Sequence, residues 1–220
     1  MTTTHDDTKA QQKPPRRLRS LGRAIDWWFD RIQAEYIRGA PPARATLAKL
    51  RRALGKPAGS VPEVWEHTIA VVPRSLSWDR DEPSPAEQAT HAAMTLYALH
   101  QQSMSTPAHV PGTSFGRAVG NLARAEGPSE AAVTRRFMAV ATASSIDEIL
   151  THIRGLVTQL RGAGQGFDYA RFADDVHDLL NPWSAQAVRL AWSRDFYRID
   201  NAPSGDATAD TEADSHDTEE

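Results

Sequence analysis

The apolar side chains of this chain recur every three or four residues, and this spacing restricts the fold more than any other feature. It places apolar groups on one face of an α-helix, whereas a half-buried β-strand alternates at every second residue. Stretches with the alternating pattern are absent. The helical spacing appears at Leu21, Ile25, Trp28, Phe29, Ile32 and Tyr36, and again at Ile146, Ile149, Leu150, Ile153, Leu156, Val157 and Leu160. We therefore expect an all-α fold.

Capping residues divide this pattern into about nine helices. A serine followed three residues later by glutamate forms a capping box, and Asn before Pro is a typical helix start, whereas glycine is typical of helix ends. The start signals are Ser60 with Glu63, Ser84 with Glu87, Ser145 with Glu148, and Asn181 with Pro182; the end signals are Gly39, Gly55 and Gly162. The predicted helices cover residues 21–38, 43–54, 61–72, 84–102, 114–125, 129–142, 145–161, 168–180 and 182–199.

The two ends of the chain and one central segment differ in composition from the predicted helices. Residues 1–20 and 200–220 are polar and have few apolar groups to bury, which predicts disordered tails, the second of them acidic. Residues 103–113 contain two prolines and a glycine and predict a joint or a binding loop. The expected organisation is an N-terminal helical lobe at 21–102 and a C-terminal helical lobe at 114–199.

Several functional classes lack the residues they need. The chain has no cysteine, which excludes disulfides, thiolate metal sites and a cysteine nucleophile. No apolar run approaches the length of a membrane span, and the first residues lack the plan of a signal peptide, so we expect a cytoplasmic protein without membrane contact.

A catalytic or metal site is equally poorly supported. The eight histidines form no HExxH sequence and no pair four residues apart. The acidic run at 174–178 is interpreted as a solvated helix face, and the glycine-rich run at 162–166 as a turn rather than a phosphate loop. We therefore predict neither an enzyme nor a metal or cofactor requirement.

The formal net charge of −3 conceals a basic body. Eight acids and no Lys or Arg lie between Asp200 and Glu220, so residues 1–199 carry a net charge of +5. Between Arg16 and Lys56 there are 11 basic residues against 3 acids, and 21 of the 25 basic residues in the chain are arginines. Because the guanidinium group forms paired hydrogen bonds to phosphate, a polyanionic partner is one interpretation, and solvated helix faces are the other.

Two groups of basic residues are the candidate nucleic-acid-binding sites. On the helix at 43–54, Leu47, Leu50 and Leu54 form the apolar stripe, and no acid on that helix neutralises its basic residues. The first group is Arg44, Lys49, Arg51 and Arg52, with Lys56 following. The second group is Arg117, Arg124, Arg135, Arg136, Arg154 and Arg161. Glu126, Glu130, Asp147 and Glu148 lie near the second group in sequence, so ion pairing is the alternative there.

A surface of this kind suits binding to phosphates without base specificity, to single or double strands. The competing hypothesis is a stand-alone transcriptional regulator with a helix-turn-helix. Against it, no short helix pair is followed by a recognition helix that has Asn, Gln, Ser and Arg at its start.

Five short motifs occur in the order and spacing of a known family. They are Arg44 to Arg52 (RATLAKLRR), Ser114 to Ala118 (SFGRA), Arg135 to Phe137 (RRF), Asp147 to Arg154 (DEILTHIR) and Trp192 to Tyr197 (WSRDFY). Together they resemble the CasB family, the small subunit of the type I-E CRISPR surveillance complex Cascade. Phe115 stands where the family more often has leucine. The resemblance covers about residues 24–198 and neither tail.

The resemblance implies a non-catalytic helical subunit in antiviral defence, present as a head-to-tail pair. Its partners would be a second copy of itself, the large subunit CasA and the backbone subunit CasC. It would bind single- and double-stranded DNA and the hybrid of crRNA and DNA, and it would stabilise the R-loop while the guide reads the sequence. The family's basic patches carry over to Arg44, Lys49, Arg51, Arg52, Arg117, Arg135, Arg136 and Arg154, whereas Arg124 and Arg161 are added from charge alone. Trp192, Phe196 and Tyr197 are expected to pack in the core rather than stack on bases.

Overall fold

The computed structural model describes residues 16–127 and 129–198, and within these residues the fold is all-α, as predicted. The helices of the described residues are α1 (Ser20–Ile37), α2 (Pro41–Ala53), α3 (Trp65–Thr68), α4 (Pro85–His100), α5 (Phe115–Arg124), α6 (Glu130–Thr142), α7 (Ile146–Gly162), α8 (Tyr169–Leu179) and α9 (Pro182–Tyr197). No helix in the described residues is both long and apolar enough to cross a bilayer. The predicted disordered tails were residues 1–20 and 200–220, and residues 1–15 and 200–220 lie outside the described residues. The prediction is wrong for residues 16–20, because Arg16 pairs with Asp26 and Asp168 and Ser20 begins α1.

Two of the predicted helix starts are confirmed in full. The Ser84 hydroxyl accepts a hydrogen bond from the Glu87 amide at 3.2 Å, and the Ser84 amide donates to the Glu87 carboxylate at 2.6 Å. At the start of α9 the Asn181 side chain accepts from the Trp183 amide at 3.1 Å, with Pro182 in the first turn. These caps fix where α4 and α9 begin.

The box at Ser145 is only half formed. Its hydroxyl accepts from the Glu148 amide at 3.2 Å, but the Glu148 carboxylate accepts from the amide of Ser144 instead. At the other end of α7 the left-handed residue is Gly164, with φ of +65°, rather than the predicted Gly162.

The predicted helix at 61–72 is wrong in length. The structure has a 3₁₀ turn over Pro62–Val64 followed by the four-residue α3. The Ser60 hydroxyl donates to the carbonyl of Pro57 at 2.6 Å, so it does not cap a helix. The amides of Ile69 and Ala70 both donate to the carbonyl of Trp65, so the chain leaves the α-helical hydrogen-bond pattern directly after Thr68.

The core is centred on α8, which packs on both α1 and α4, with α2 on α4, α5 on α9 and α6 on α7. An aromatic cluster joins these groups: the ring of Phe115 lies 4.9 Å from Trp192 and 5.4 Å from Phe167, and Phe167 stacks on Tyr169 at 4.2 Å. The cluster therefore links α5, α8 and α9 through buried rings.

Two glycines in α5 allow it to touch the backbone of α9. A Cβ on Gly116 would lie 2.9 Å from the Cα of Trp192 and closer still to its carbonyl oxygen, and a Cβ on Gly120 would lie 3.1 Å from the carbonyl carbon of Phe196. No larger residue fits at either position without moving a helix. This explains why the SFGRA motif contains a glycine.

Residues 103–113, the segment predicted as a joint or binding loop, hydrogen-bond both to α1 and to the residues just before α8. The amide of His109 donates to the side chain of Gln33 on α1 at 2.7 Å, and the backbones of Ala108 and Val110 each hydrogen-bond to Phe167 at 3.0 Å. The core is continuous across the segment, because α1 and α4 both pack on α8. The division into two lobes as separate units stays a prediction.

The acidic run at the end of α8 is not the solvated face that we expected. Asp174 and Asp175 are buried. Asp174 accepts hydrogen bonds from the amides of Arg19 at 2.6 Å and Gly22 at 2.8 Å, so it caps α1 from a neighbouring helix. Asp175 accepts from the indole nitrogen of Trp192 at 2.8 Å. Sequence spacing alone did not show that α1 and α9 would supply donors to these carboxylates.

Candidate nucleic-acid interface

The first basic group lies on the outer face of α2. Ala43, Leu47, Leu50 and Ala53 form the buried stripe of the helix. This arrangement leaves Arg44, Lys49 and Arg52 exposed and Arg51 half-buried. Leu54, predicted in the stripe, follows the helix end and is half-buried. The outer face of α2 is therefore a surface of like charge on a rigid frame.

The four residues differ in how they are held. In the part of the chain that the structure describes, Arg44 and Lys49 form no ion pair, whereas Arg52 pairs with Glu63 at 3.0 Å with both side chains exposed. The guanidinium of Arg51 donates to the carbonyl of Ala98 on α4 at 3.4 Å. Burial and the neighbouring Arg52 charge lower the pKa of Arg51. Arg51 is therefore partly a packing residue.

Arg154 joins this face from α7. A Cβ on Gly55 would lie 3.9 Å from the guanidinium of Arg154, so the side chain reaches the turn that follows α2. Arg154 and Lys56 border a cleft of about 590 Å³ between the end of α2, α4 and the start of α7. The structure thus brings one residue of the second group next to the first group.

Arg135 and Arg136 occupy the exposed side of α6. The Arg136 side chain crosses to α7, where a Cβ on Gly155 would lie 3.1 Å from its guanidinium nitrogen. Gly155 directly follows Arg154 in the sequence, so Arg136 reaches the stretch of α7 that also carries Arg154. Arg135 is exposed and has no ion-pair partner among residues 16–127 and 129–198. We call the set of Arg44, Lys49, Arg51, Arg52, Lys56, Arg135, Arg136 and Arg154 the α2–α7 surface.

The remaining predicted residues lie apart from the α2–α7 surface. Arg124 donates to the carbonyl of Phe196 at 3.0 Å and so fastens α5 to α9, and Arg161 donates to the side chain of Gln102 at 3.3 Å. Arg117 lines a separate groove, described below. The added residues Arg124 and Arg161 therefore have structural contacts of their own.

The four acids that lie near the second basic group in sequence do not pair with Arg135, Arg136 or Arg154 in the described residues. Glu148 accepts from the Ser144 amide and approaches His152 at 3.9 Å. Within the described ranges no ion pair joins Glu126, Glu130 or Asp147 to Arg135, Arg136 or Arg154. The charge of α6 and of the exposed side of α7 therefore stays uncompensated by these acids.

Sequence reasoning missed a second basic groove. It has a volume of about 430 Å³ and lies between the chain before α1, the start of α5, and α8 and α9. Its cationic residues are Arg16, Arg17, Arg19, Arg117, Arg171 and Arg198. The signal was present in the Arg16-Arg17-x-Arg19 run, but we placed that run in a disordered tail.

Most cations of this groove are already paired. Arg16 lies between Asp26 and Asp168, with contacts of 2.6 Å to each. The two carboxylates raise the pKa of Arg16, although burial acts in the opposite direction. Hydrogen bonds from the His109 ring and from Arg16 lower the pKa of Asp26 to about 2, and here too burial acts in the opposite direction. Arg17 is exposed and forms no ion pair among the described residues.

The other pairs in the groove involve α8 and α9. Arg19 contacts Asp175 at 3.3 Å and pairs with Asp178, and Arg171 pairs with Asp195 at 3.2 Å. The groove therefore holds fewer unpaired positive charges than its number of arginines indicates. Its ion pairs mainly join the segment before α1 to α8, and α8 to α9.

The aromatic residues near the C-terminus were expected to lie in the core. Trp192 and Phe196 are buried, as predicted, and Phe196 stacks on Phe137 at 4.3 Å. Tyr197 is 60% exposed, so the prediction is wrong for that residue. It lies on the side of α9 that faces away from the core.

Comparison with known proteins gives a consistent result. The model of the family described as CRISPR-associated protein Cse2 matches residues 46–197. The fold is similar to CasB from Thermobifida fusca, with a TM-score of 0.68 and 30% sequence identity over 83% of this chain and 100% of that chain. A Cse2-family CRISPR-associated protein from Thermus thermophilus has a TM-score of 0.60 and 26% identity, covering 80% of this chain and 97% of that one.

A chain of a structure described as a CRISPR RNA-guided surveillance complex has the same fold. Its TM-score is 0.62 at 18% identity, covering 81% of this chain and 94% of that chain. No curated protein sequence matches this chain.

Proposed function

We propose that this chain, which belongs to the CRISPR-associated Cse2 family, is a non-catalytic small subunit of a Cascade-type RNA-guided complex that holds nucleic acid by its phosphates. The task that fits is stabilisation of the R-loop, with contacts to the displaced strand and to the target strand. Guide-RNA pairing would read the sequence, as in other RNA-guided effectors.

The observation that supports the proposal most strongly is the α2–α7 surface. It combines exposed Arg44, Lys49 and Arg135 on rigid helices, none of them paired with an acid among the described residues. Charges of one sign that lack partners repel one another, and phosphates relieve that repulsion while releasing counterions. Such a surface positions a strand without reading its bases.

The ten residues predicted from sequence take different parts in this proposal. Arg44, Lys49, Arg52, Arg135, Arg136 and Arg154 are proposed as direct phosphate contacts. Arg51 and Arg124 each join two helices through a hydrogen bond, Arg161 joins α7 to the turn after α4, and all three still have free N–H donors. Arg117 belongs to the second groove and is proposed as a contact there, together with Arg17.

The proposed partners follow from the family membership. They are a second copy of the chain, the large subunit CasA, the backbone subunit CasC that coats the guide, and the crRNA–DNA hybrid. Cytoplasmic location belongs to the same proposal, since guide and target are there.

The experiment that tests the site measures binding of the full chain to one fluorescent single-stranded DNA of arbitrary sequence. The variants are Arg44→Ala with Lys49→Ala, and Arg135→Ala. Arg74→Ala is the matched control for Arg135→Ala, because it likewise removes one charge from an exposed position, but one outside the α2–α7 surface. Each lost phosphate contact should flatten the slope of log K against log salt by about 0.7 for a single strand.

The proposal expects a slope flatter by about 1.4 in the double variant and by about 0.7 in Arg135→Ala, with Arg74→Ala close to the unmodified protein. Equal slopes in all four proteins would contradict the site assignment. Helical circular dichroism and thermal unfolding check that each variant is folded.

A further inference from the structure

Helix α1 carries an exposed aromatic ring in line with two arginines. Trp27 is 51% exposed, although the next residue, Trp28, is buried in the core. Arg31 and Arg38, both exposed, lie four and eleven positions further along, and Arg38 directly follows the helix. At 100° per residue the ring and the two arginines lie within about 40° of one another. We call Trp27, Arg31 and Arg38 the α1 stripe.

The ring and the first arginine of the stripe are in contact. The guanidinium carbon of Arg31 lies over the Trp27 ring, 5.1 Å from its centroid, which is within the range of a cation–π interaction. Arg38 donates to the carbonyl of Ala34 at 3.2 Å. Neither arginine forms an ion pair in the part of the chain that the structure describes. Both charges are therefore free to attract an anion from outside.

The α1 stripe adjoins the basic residues of α2. The indole nitrogen of Trp28 donates to Nδ1 of His67 at 3.4 Å, so α3 packs against this flank of α1. Burial lowers the pKa of His67, against the effect of Glu66. The charges of Arg31 and Lys49 lower it further. Because one cation of α1 and one of α2 both act on the same ring, the stripe continues the α2–α7 surface.

The far end of the stripe reaches the same surface. Gly39 directly follows Arg38, and a Cβ on Gly39 would lie 3.3 Å from a guanidinium nitrogen of Arg44. The stripe therefore meets α2 near its start, at Arg44, as well as near Lys49.

Acids do not neutralise the stripe. The carboxylates of Asp26 and Asp30 each lie 3.6 Å from Nε2 of His109, on a flank of α1 centred about 100° from the stripe. Glu35 and Glu66 are nearer to the stripe, and neither forms an ion pair among residues 16–127 and 129–198. The basic residues on this side outnumber these two acids and are Arg31, Arg38, Arg44 and Lys49.

A second pair of tryptophan and arginine among the described residues has the opposite surroundings. The guanidinium of Arg80 lies over the Trp78 ring, 4.6 Å from its centroid, and Trp78 is 38% exposed. Three exposed acids occupy the same short segment, which are Asp79, Asp81 and Glu82. These acids repel a phosphate strand. The position beside unpaired cations therefore distinguishes Trp27 from Trp78.

We propose that the α1 stripe binds one unpaired base of a nucleic-acid strand, which stacks on the pair of Trp27 and Arg31 while Arg38 contacts a neighbouring phosphate. Unpaired bases stack on aromatic rings and on guanidinium planes, and every base has a face that can do so. Stacking therefore adds affinity without reading the sequence. The role of the stripe rests on the proposed function, because the α2–α7 surface brings the strand to it.

The experiment compares two fluorescent single strands of DNA that have the same length and the same number of phosphates. One strand carries bases throughout, and the other is abasic at every position. Binding of the full chain to each strand is measured by fluorescence anisotropy at one low salt concentration. The variants are Trp27→Ala and Trp27→Phe. Trp78→Ala is the matched control, because it also removes an exposed ring that lies beneath an arginine.

Stacking of one base on an aromatic side chain is worth about 5-fold to about 100-fold in affinity. Trp27→Ala should therefore bind the strand with bases at least about fivefold more weakly than the unmodified chain does, and the abasic strand equally well. Trp27→Phe keeps a ring and should retain part of the difference between the strands. Trp78→Ala should match the unmodified chain on both strands.

Equal affinity of Trp27→Ala and the unmodified chain for the strand with bases would overturn the proposal, as would the same loss on both strands. If the unmodified chain binds both strands equally and Trp27→Ala changes neither, this proposal fails and the proposed function stands, since phosphates alone are enough for it. If the unmodified chain binds neither strand, both fail. Thermal unfolding checks the fold of each variant, and Trp27 lies outside the core, so the melting temperature should not change.

Discussion

Replacement of Gly116 by alanine tests the packing of α5 on α9. The new methyl group would lie 2.9 Å from the Cα and carbonyl carbon of Trp192 and closer to its carbonyl oxygen. Ordinary contacts begin near 3.4 Å. These are backbone atoms that cannot rotate away, so α5 and α9 must separate by about 1 Å, which loosens the ring contacts of Phe115. Overpacking of this kind costs about 1–3 kcal/mol and sometimes more, while alanine recovers about 1 kcal/mol of helix propensity.

An overpacking cost at the upper end of this range, less the gain in helix propensity, gives an expected net loss of about 2 kcal/mol in the free energy of unfolding. In a domain of this size the melting temperature falls by about 4–8 °C. Urea unfolding and thermal unfolding, both followed by circular dichroism, measure the two quantities. Gly162→Ala in α7 is the control, because nothing lies within 4 Å of its Cβ position. This variant should be as stable as the unmodified chain, or up to about 1 kcal/mol more stable. A Gly116→Ala protein that matches the control would refute the close approach of α5 to α9.

Three further predictions concern caps and buried carboxylates. Burial raises the pKa of Asp175 to about 6, so its charge destabilises the fold increasingly as the pH rises from about 4 to about 6. Asp175→Asn keeps an acceptor for Trp192, so unfolding by urea at pH 4.5 and pH 7 should show a smaller loss between these pH values, by up to about 2 kcal/mol; an unchanged loss contradicts the assignment. The pKa of Asp26 is lowered to about 2, so its pair with Arg16 stabilises the fold above about pH 4 and is lost as the pH falls toward 2. Arg16→Ala should therefore lose up to about 2 kcal/mol at pH 7 and less at pH 2.5, and an equal loss at both would contradict this. Ser84→Ala removes a capping box and should cost about 1 kcal/mol in thermal unfolding, whereas a change below about 0.3 kcal/mol would show that the cap is unimportant.

Features set by neighbouring residues in the chain were predictable from sequence. Apolar spacing predicted the buried stripe of α2, and local capping chemistry predicted the starts of α4 and α9. The family resemblance was confirmed by the Cse2 family model and by the similarity to CasB structures. Each of these depends on contacts within a few positions or on motifs in a fixed order.

Features set by packing between distant segments were not predictable. Asp174 looks solvated in its own helix, but α1 brings the amides of Arg19 and Gly22 to it. Arg16 was assigned to a tail because its partners, Asp26 and Asp168, become adjacent only in the folded chain. Tyr197 was expected in the core, yet its position on α9 leaves it 60% exposed.

The candidate site was predicted in part. Sequence selected the α2 residues by their lack of acidic neighbours, and the structure adds that Arg154 reaches the same face. The sequence did not distinguish Arg44, which is exposed, from Arg51, which is half-buried and hydrogen-bonded to the carbonyl of Ala98. That difference depends on where α4 packs against α2, and the spacing of residues within α2 does not predict this.

The most direct test of the central claim measures affinity of the full chain for unrelated single- and double-stranded DNAs over a range of salt concentrations. A protein that holds phosphates should bind every sequence with similar affinity and with a steep common slope of log K against log salt. Preference for one duplex by about 10³-fold over the others, the behaviour of a transcriptional regulator, would contradict the account, as would binding that does not change with salt.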